Sequence, residues 1–334
     1  MENATKNQHF ISQSEQRSNC IDESVDKHKR KIYKFLIVDR EDHSIRLVSN
    51  EGVGIKKNLS FGDLFSFDVS EDPLRKNLET FFQRFEADLD RCSRELIHHA
   101  QKRASDSLIA SLSAKVLRGK LMGMIRNPFC ISRNVKTFDA FLNVYPTDQA
   151  LLRSFLAIRE GTKPHLEKVC AEFDVTPEEY LNWLQIIFLA LMISPVTGVS
   201  ILEDMVDGLM SSPGSMCNLM LATFDDVELH RVALPDTSYL QGTQDPNHNI
   251  FLFNLTKNAY AAFSFMNLEK QTLVPVPPVL RERIKMFGLS FSYQAHHNDL
   301  RLLKTFNALA VYQSKRHVFC AEDEIYGANC LKNE

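Results

Sequence analysis

The sequence predicts an α+β fold: a mixed sheet built from N- and C-terminal segments, with a helical insertion in the middle. Three observations predict it. Apolar residues recur at helical spacing from about residue 73 to 211, and β-rich runs flank that stretch on both sides. The first of these runs forms a terminal hairpin, which is only marginally stable without partner strands. The 334 residues, 44% hydrophobic and 24% charged, have the composition of a folded globular chain able to bury a substantial core. The organisation expected is an N-terminal motif and hairpin (1–70), a helical region (71–212) and C-terminal strands and helices that complete the sheet (213–334), in one integrated domain.

Each element has its own reason. Ile32 to Val38 and Ser44 to Ser49 are β-rich and separated by the polar turn Asp39 to His43, which reads as a hairpin. Asn58 to Phe67 is a third extended segment. Asp72 and Pro73 suit the cap and first turn of a long helix. Its apolar stripe is Leu74, Leu78, Phe81, Phe82, Phe85, Leu89, Cys92, Leu96 and Ile97. A second helix runs from about Ser105 to Arg126 and stops at Asn127-Pro128. Helices follow over Thr147 to Glu160, Lys163 to Glu172, from Thr176 with a capping box at Glu179, and over Val199 to Met210. After Pro213-Gly214 the pattern changes to strands at Asn218 to Thr223, Val227 to Leu234, Ile250 to Leu255 and Tyr260 to Met266. Two helices near Val279 to Phe287 and Asn298 to Ser314, and a strand at His317 to Cys320, complete the reading. The tail from Ala321 is expected to fray.

Composition excludes several classes. A net charge of −3 provides no global positive field for nucleic acid, so such contact must come from local patches. The patches are Lys27 to Lys31, Lys115 to Lys120 and Lys315-Arg316-His317; each is more often a solvated surface than a phosphate contact. The first 30 residues contain no apolar core of a secretory signal. The most apolar stretch, Leu181 to Ser194, is too short for a bilayer and reads as a buried helix. Seven cysteines without a C-x-x-C pair argue for reduced thiols in a cytoplasm and against a disulfide framework or a standard zinc site. Phosphate-binding loops, nucleophile elbows and dinucleotide glycine runs are absent.

Chemistry-bearing residues are few. His9 stands among Asn7, Gln8, Gln13, Glu15, Gln16, Arg17 and Asn19, where an imidazole is able to work as acid or base near neutral pH. By composition alone this segment is a polar leader with one histidine. Pro235-Asp236 with Leu255-Thr256-Lys257 has part of a metal-nuclease pattern, but Leu255 stands where the second carboxylate belongs. Arg94 with His99, and Arg91 with His98, have the spacing of helical ribonucleases, a pattern that charged helix faces also give by chance. His296-His297 lacks the context of a metal site.

The start His9-Phe10-Ile11-Ser12 resembles the bacterial family catalogued as domain of unknown function 4238. So do the hairpin over Ile32 to Val48, Leu64-Phe65-Ser66-Phe67, the stretch from Asn77-Leu78-Glu79 to Phe85-Glu86, Val232 to Ser238, Phe253 to Asn258, Asn307 to Ala310 and His317 to Phe319. Serine at position 12 replaces the usual proline, and Thr237-Ser238 replace the usual Asn-Pro after the aspartate. The resemblance implies a fold more than an activity. With it, the lead expectation is a cytoplasmic bacterial effector of a defence or toxin system, with nuclease-like activity. His9 would be the base, Asp236 its orienter or a metal ligand, and Asn307 a donor. The alternatives are a non-catalytic protein-interaction module and a helical ribonuclease using Arg94 and His99. No cofactor is specified by the sequence, and the partner is either nucleic acid or protein, without a membrane.

Overall fold

The computed structural model describes residues 7–69, 72–211, 214–226, 230–243, 245, 247–270, 290–332 and the isolated positions 278, 279, 282 and 286. In chain order the strands are β1 (Asn7–His9), β2 (Lys31–Asp39), β3 (Ser44–Leu47), β4 (Val53–Gly54), β5 (Ser60–Gly62), β6 (Ser66–Val69), β7 (Asp72–Asn77), β8 (Ser215–Thr223), β9 (Leu234–Pro235), β10 (Leu240–Gln241), β11 (His248–Thr256), β12 (Ala259–Asn267), β13 (Phe291–His297), β14 (His317–Cys320) and β15 (Asn329–Leu331). The helices are α1 (Gln13–Arg17), α2 (Glu79–Gln101), α3 (Asp106–Ile125), α4 (Ile131–Thr137), α5 (Gln149–Glu160), α6 (Leu166–Phe173), α7 (Pro177–Leu191), α8 (Ile201–Ser211) and α9 (Leu300–Gln313). The class is α+β with mixed sheets and a helical middle, as the sequence predicts.

The chain divides into two compact units that interleave along the sequence. One comprises residues 1–12, 59–87 and 121–204, the other 13–58, 88–120 and 205–334. The first unit is built around α7. Thr176 and Glu179 form the expected capping box, Thr176 Oγ1 accepting the Glu179 N–H at 3.1 Å. Ten residues of α7 are buried. Trp183 Nε1 donates to the Ile125 carbonyl at 2.6 Å and Tyr180 donates to the Leu64 carbonyl at 2.7 Å. These bonds satisfy the polar ends of large aromatic side chains inside the core. Phe65 lies edge-on to Phe82 and tilted against Trp183, and Phe10, Phe129 and Phe173 form a second aromatic group. Two-stranded ladders, β1 with β5 and β6 with β7, belong to this unit. Among the described residues no helix is long and apolar enough to cross a membrane.

The second unit holds two sheets. A six-stranded sheet has the order β15-β3-β2-β14-β9 with β4 on the end of β2, and a five-stranded sheet has the order β10-β11-β12-β8-β13. Helix α9, capped by Asp299, supplies Leu303, Phe306, Ala310 and Val311 to a core shared with Phe35 and Ile45 of the first sheet and Ala222 and Tyr260 of the second. The predicted hairpin pairs Phe35 with Leu47 and Ile37 with Ile45.

Several expectations need correction. The hairpin is expected in one sheet with Val227 to Met266, and only β9 (Leu234–Pro235) of that stretch joins it, through β14, while β11 and β12 pair in the other sheet with β8. Helix α9 packs on residues of both sheets, so each buries apolar side chains without the two sharing strands. Helix α2 starts at Glu79, because Asp72–Asn77 pairs with Ser66–Val69 as a strand; the cap is Asn77, whose Oδ1 accepts the Glu79 N–H at 3.0 Å. Of the strand expected at Val227 to Leu234, residues 227–229 lie outside the described ones and only Leu234 is in a strand. The helix expected at Val279 to Phe287 lies largely outside the described residues. Strand β13 and helix α4 have no counterpart in the sequence reading. Up to residue 332 the tail is held: β15 pairs in parallel with β3, and Asn329 donates to Ser44 Oγ at 2.9 Å.

Candidate functional site

Of the three residues singled out by sequence, His9 belongs to the first unit and Asp236 and Asn307 to the second. His9 is half-buried in β1 and pairs with Ser60 in register, within the first unit. Its neighbour Gln8 is fully buried, donating to Ser66 Oγ at 2.8 Å, and Phe10 and Ile11 are buried as anchors. Asp236 and Asn307 belong to the second unit. Asp236 is buried and its carboxylate accepts the backbone N–H groups of Lys315 (2.7 Å), Arg316 (2.7 Å) and His317 (2.9 Å). Burial pushes its pKa up, while the three backbone donors pull against that rise. Asn307 accepts from Ala233 N–H at 2.9 Å and donates to the carbonyls of Arg231 and Tyr326, both at 3.0 Å. Both side chains therefore hold backbone segments together.

The polar crowding after His9 also resolves into buried anchors. Lys120 pairs with Glu15 at 2.6 Å, both nearly fully buried, and Asn19 and Asn254 exchange a reciprocal pair of amide hydrogen bonds at 2.8 Å. Lys120 and Arg118, expected as a basic patch, are thus engaged, the latter with Asp207. Arg94 is tied to Asp90 at 3.2 Å and to Glu23 at 3.7 Å, and His99 stacks edge-on with His98.

A different cluster brings a hydroxyl, an imidazole and a carboxylate close together. Strands β8 and β13 are parallel neighbours in register, His297 opposite Thr223, so both residues stand at the carboxyl ends of their strands. Open crevices at such ends are where sheets in α/β proteins take ligands. There a cavity of about 380 Å³ is lined by Ala100, Gln101, Arg103, Thr223, Ala295, His296 and His297, within the size range of small-molecule sites. His297 Nδ1 lies 3.2 Å from Thr223 Oγ1, and its Nε2 lies 3.4 Å from Asp225 Oδ1. Asn298 holds Asp225 at two points: its Oδ1 accepts the Asp225 backbone N–H at 2.9 Å and its Nδ2 donates to the carboxylate Oδ2 at 2.6 Å. Gln101 Nε2 donates to Thr223 Oγ1 at 3.3 Å. The hydroxyl, the imidazole and the Gln101 amide line the opening, and the carboxylate stands behind the imidazole.

Backbone strain accompanies the cluster. Helix α2 ends with Ala104 N–H bonded to the His99 carbonyl and Arg103 N–H to the Ala100 carbonyl, the termination that places its penultimate residue in left-handed geometry, normally glycine. Here that residue is Arg103, with φ +53°, and Asn298 on the opposite side has φ +56°. Non-glycine residues held there concentrate at functional sites. The sequence contained one signal for this centre, His296-His297, but the partners of His297 come from residues that only the parallel register brings beside it.

No family model, curated protein or solved structure matches the chain.

Proposed function

We propose that this protein is a nuclease-like hydrolase of phosphodiesters whose chemistry runs through His297. The observation that carries the reading is the Thr223–His297–Asp225 relay opening into a cavity edged by Arg103. In the tautomer with its proton on Nε2, which lies 3.4 Å from Asp225 Oδ1 and 3.3 Å from Asn298 Nδ2, Nδ1 is the basic nitrogen and faces the Thr223 hydroxyl. The imidazole takes the Oγ1 proton as the oxygen attacks phosphorus, and the protonated imidazole returns that proton to the departing alkoxide. Water then hydrolyses the phosphothreonine by the same route. Arg103 supplies a fixed positive charge and paired donors to the phosphoryl oxygens. Exposed Lys102, also at the end of α2, extends the positive field over a polymeric substrate. The chemistry expected of a histidine base, an aspartate orienter and an asparagine donor is retained here, on His297, Asp225 and Asn298.

Cytoplasmic residence is part of this proposal. Seven free thiols, five of them buried, suit a reducing compartment. Membership in the bacterial family named above is part of it too. The hairpin β2–β3, helix α9 with Asn307 and strand β14 occur in the order that the family leads one to expect.

End-labelled single-stranded RNA and DNA, incubated with the full chain, test the reading. Cleavage should fall at least about 100-fold in His297→Ala and Thr223→Val, the scale of a lost acid–base group, and survive in Thr223→Ser. Full cleavage by His297→Ala, with its melting temperature unchanged, would reject it. A second reading, a partner-docking module, is favoured by Leu36, Val38 and Val48, which leave 43%, 46% and 49% of their surface exposed beside one another on the hairpin. Loss of a co-purifying partner in Leu36→Asp with Val38→Asp, without loss of fold, would support that reading.

A further inference from the structure

The first unit contains a buried guanidinium with an unused edge. Arg126, one residue beyond α3, is 1% exposed. Its Nη1 holds Glu86 Oε1 at 2.5 Å, and its central carbon stands 4.9 Å from the centre of the Phe82 ring. Its Nε and Nη2 are buried with no hydrogen-bond partner among the described residues. Those two N–H groups lie side by side and form an edge that grips a planar oxyanion with two parallel bonds. Buried donors left without partners are rare, more so on a charged group. Beside Arg126 is Glu79, in the first turn of α2, whose Oε1 is also buried without a partner.

We propose that Arg126, Glu86 and Glu79 form a binding site for a small monocarboxylate, held by the Nε–H and Nη2–H edge of Arg126. Charge decides the class. Glu86 already balances Arg126, so a phosphate dianion would meet two carboxyl groups with only one cation between them. A monocarboxylate adds a single negative charge, and a protonated Glu79 is able to donate a hydrogen bond to it. Burial pushes the Glu79 carboxyl up to about 7, against the opposing pull of Arg126 and with the push of Glu86. An added carboxylate raises it further, so binding takes up a proton at neutral pH and weakens as pH rises past that value. The charged groups that face Glu79 are Arg126 from the end of α3 and Glu86 from α2 itself. This site is independent of the His297 centre and lies within the other unit.

The test is a titration of the full chain, labelled with nitrogen-15 in arginine, with sodium acetate and sodium formate, following the side-chain Nε–H resonances. A saturable shift of one resonance is expected, absent in Arg126→Gln. Affinity should fall about tenfold per pH unit above 7, as one-proton linkage requires. Glu79→Gln retains a donor and should bind with no such pH dependence. Inorganic phosphate should give no saturable shift. Absence of saturation with either carboxylate, which would leave only water at this edge, overturns the proposal, as does equal binding of phosphate. Should Arg126→Gln fail to fold, Glu79→Gln decides: an unchanged pH profile in that variant overturns the site.

Discussion

At the scale of single residues, a buried polar group and a catalytic one look alike in sequence and part company in their partners. Asn307 makes three bonds to backbone and none to a titratable side chain. Removing its amide leaves an N–H and two carbonyls in the core without partners. Asn307→Ala should therefore cost about 2–4 kcal/mol, measured by urea denaturation, with any activity lost only in proportion to unfolding. Asp236→Asn strands one of three backbone donors and should cost about 1–3 kcal/mol by the same measurement. His297 behaves in the opposite way. It is exposed, its neighbour Asp225 is exposed, and an exposed polar contact of this kind contributes roughly 0–1 kcal/mol. His297→Ala should leave the urea midpoint almost unchanged while abolishing cleavage. The polar N-terminal segment was legible as unusual, but not as structural, because Glu15, Gln16 and Asn19 find their partners at Lys120, Asn58 and Asn254, far along the chain.

At the scale of elements, local signals were enough wherever the structure is local. The capping box at Thr176 and Glu179, the stop at Asn127-Pro128 and the hairpin around Asp39 to His43 stand where residue chemistry puts them. Long-range pairing escaped. Strand β13 reads Phe-Ser-Tyr-Gln-Ala-His-His, with little alternation, and its partner β8 lies more than 70 residues earlier. Asp72-Pro73 carries a helix-start signal that the pairing of β7 with β6 overrides. The end of α2 joins element to function. Its left-handed position holds Arg103, where glycine avoids a steric cost of about 1–2 kcal/mol. Arg103→Gly should raise stability by roughly 0.5–1 kcal/mol, once the greater freedom of glycine in the unfolded chain is offset. The same change removes the cation from the cavity, so KM for nucleic acid should rise and its salt dependence weaken. Denaturation and steady-state kinetics on one variant check both halves. A destabilised Arg103→Gly would show that the strain is compensated by contacts of the side chain.

At the scale of the whole molecule, two buried titrations oppose each other. Glu79 has its folded pKa raised by burial from 4.5 to about 7. Its folded form binds more protons than the unfolded one across that window, so its contribution is full below pH 4.5 and lost as pH rises to 7. His317 has its folded pKa lowered to about 4 by burial, with Lys34 and Arg316 adding to the fall. Here the unfolded chain binds more protons, so stability is full above pH 6.5 and lost as pH falls towards 4. Each shift is worth up to about 3 kcal/mol, less for His317, which keeps some solvent access. The windows overlap between pH 4.5 and 6.5, where the two slopes have opposite sign, so these two groups together leave stability nearly flat with pH. Single variants should uncover the slopes. Relative to the parent chain, Glu79→Gln should gain stability as pH rises from 4.5 to 7, and His317→Gln should gain it as pH falls from 6.5 to 4. Urea midpoints taken at half-unit intervals of pH measure both. Parallel pH profiles for the parent and Glu79→Gln would mean that Glu79 titrates in the folded chain as it does in the unfolded one and is ionised at neutral pH, which would also remove the proton donor on which carboxylate binding at Arg126 depends.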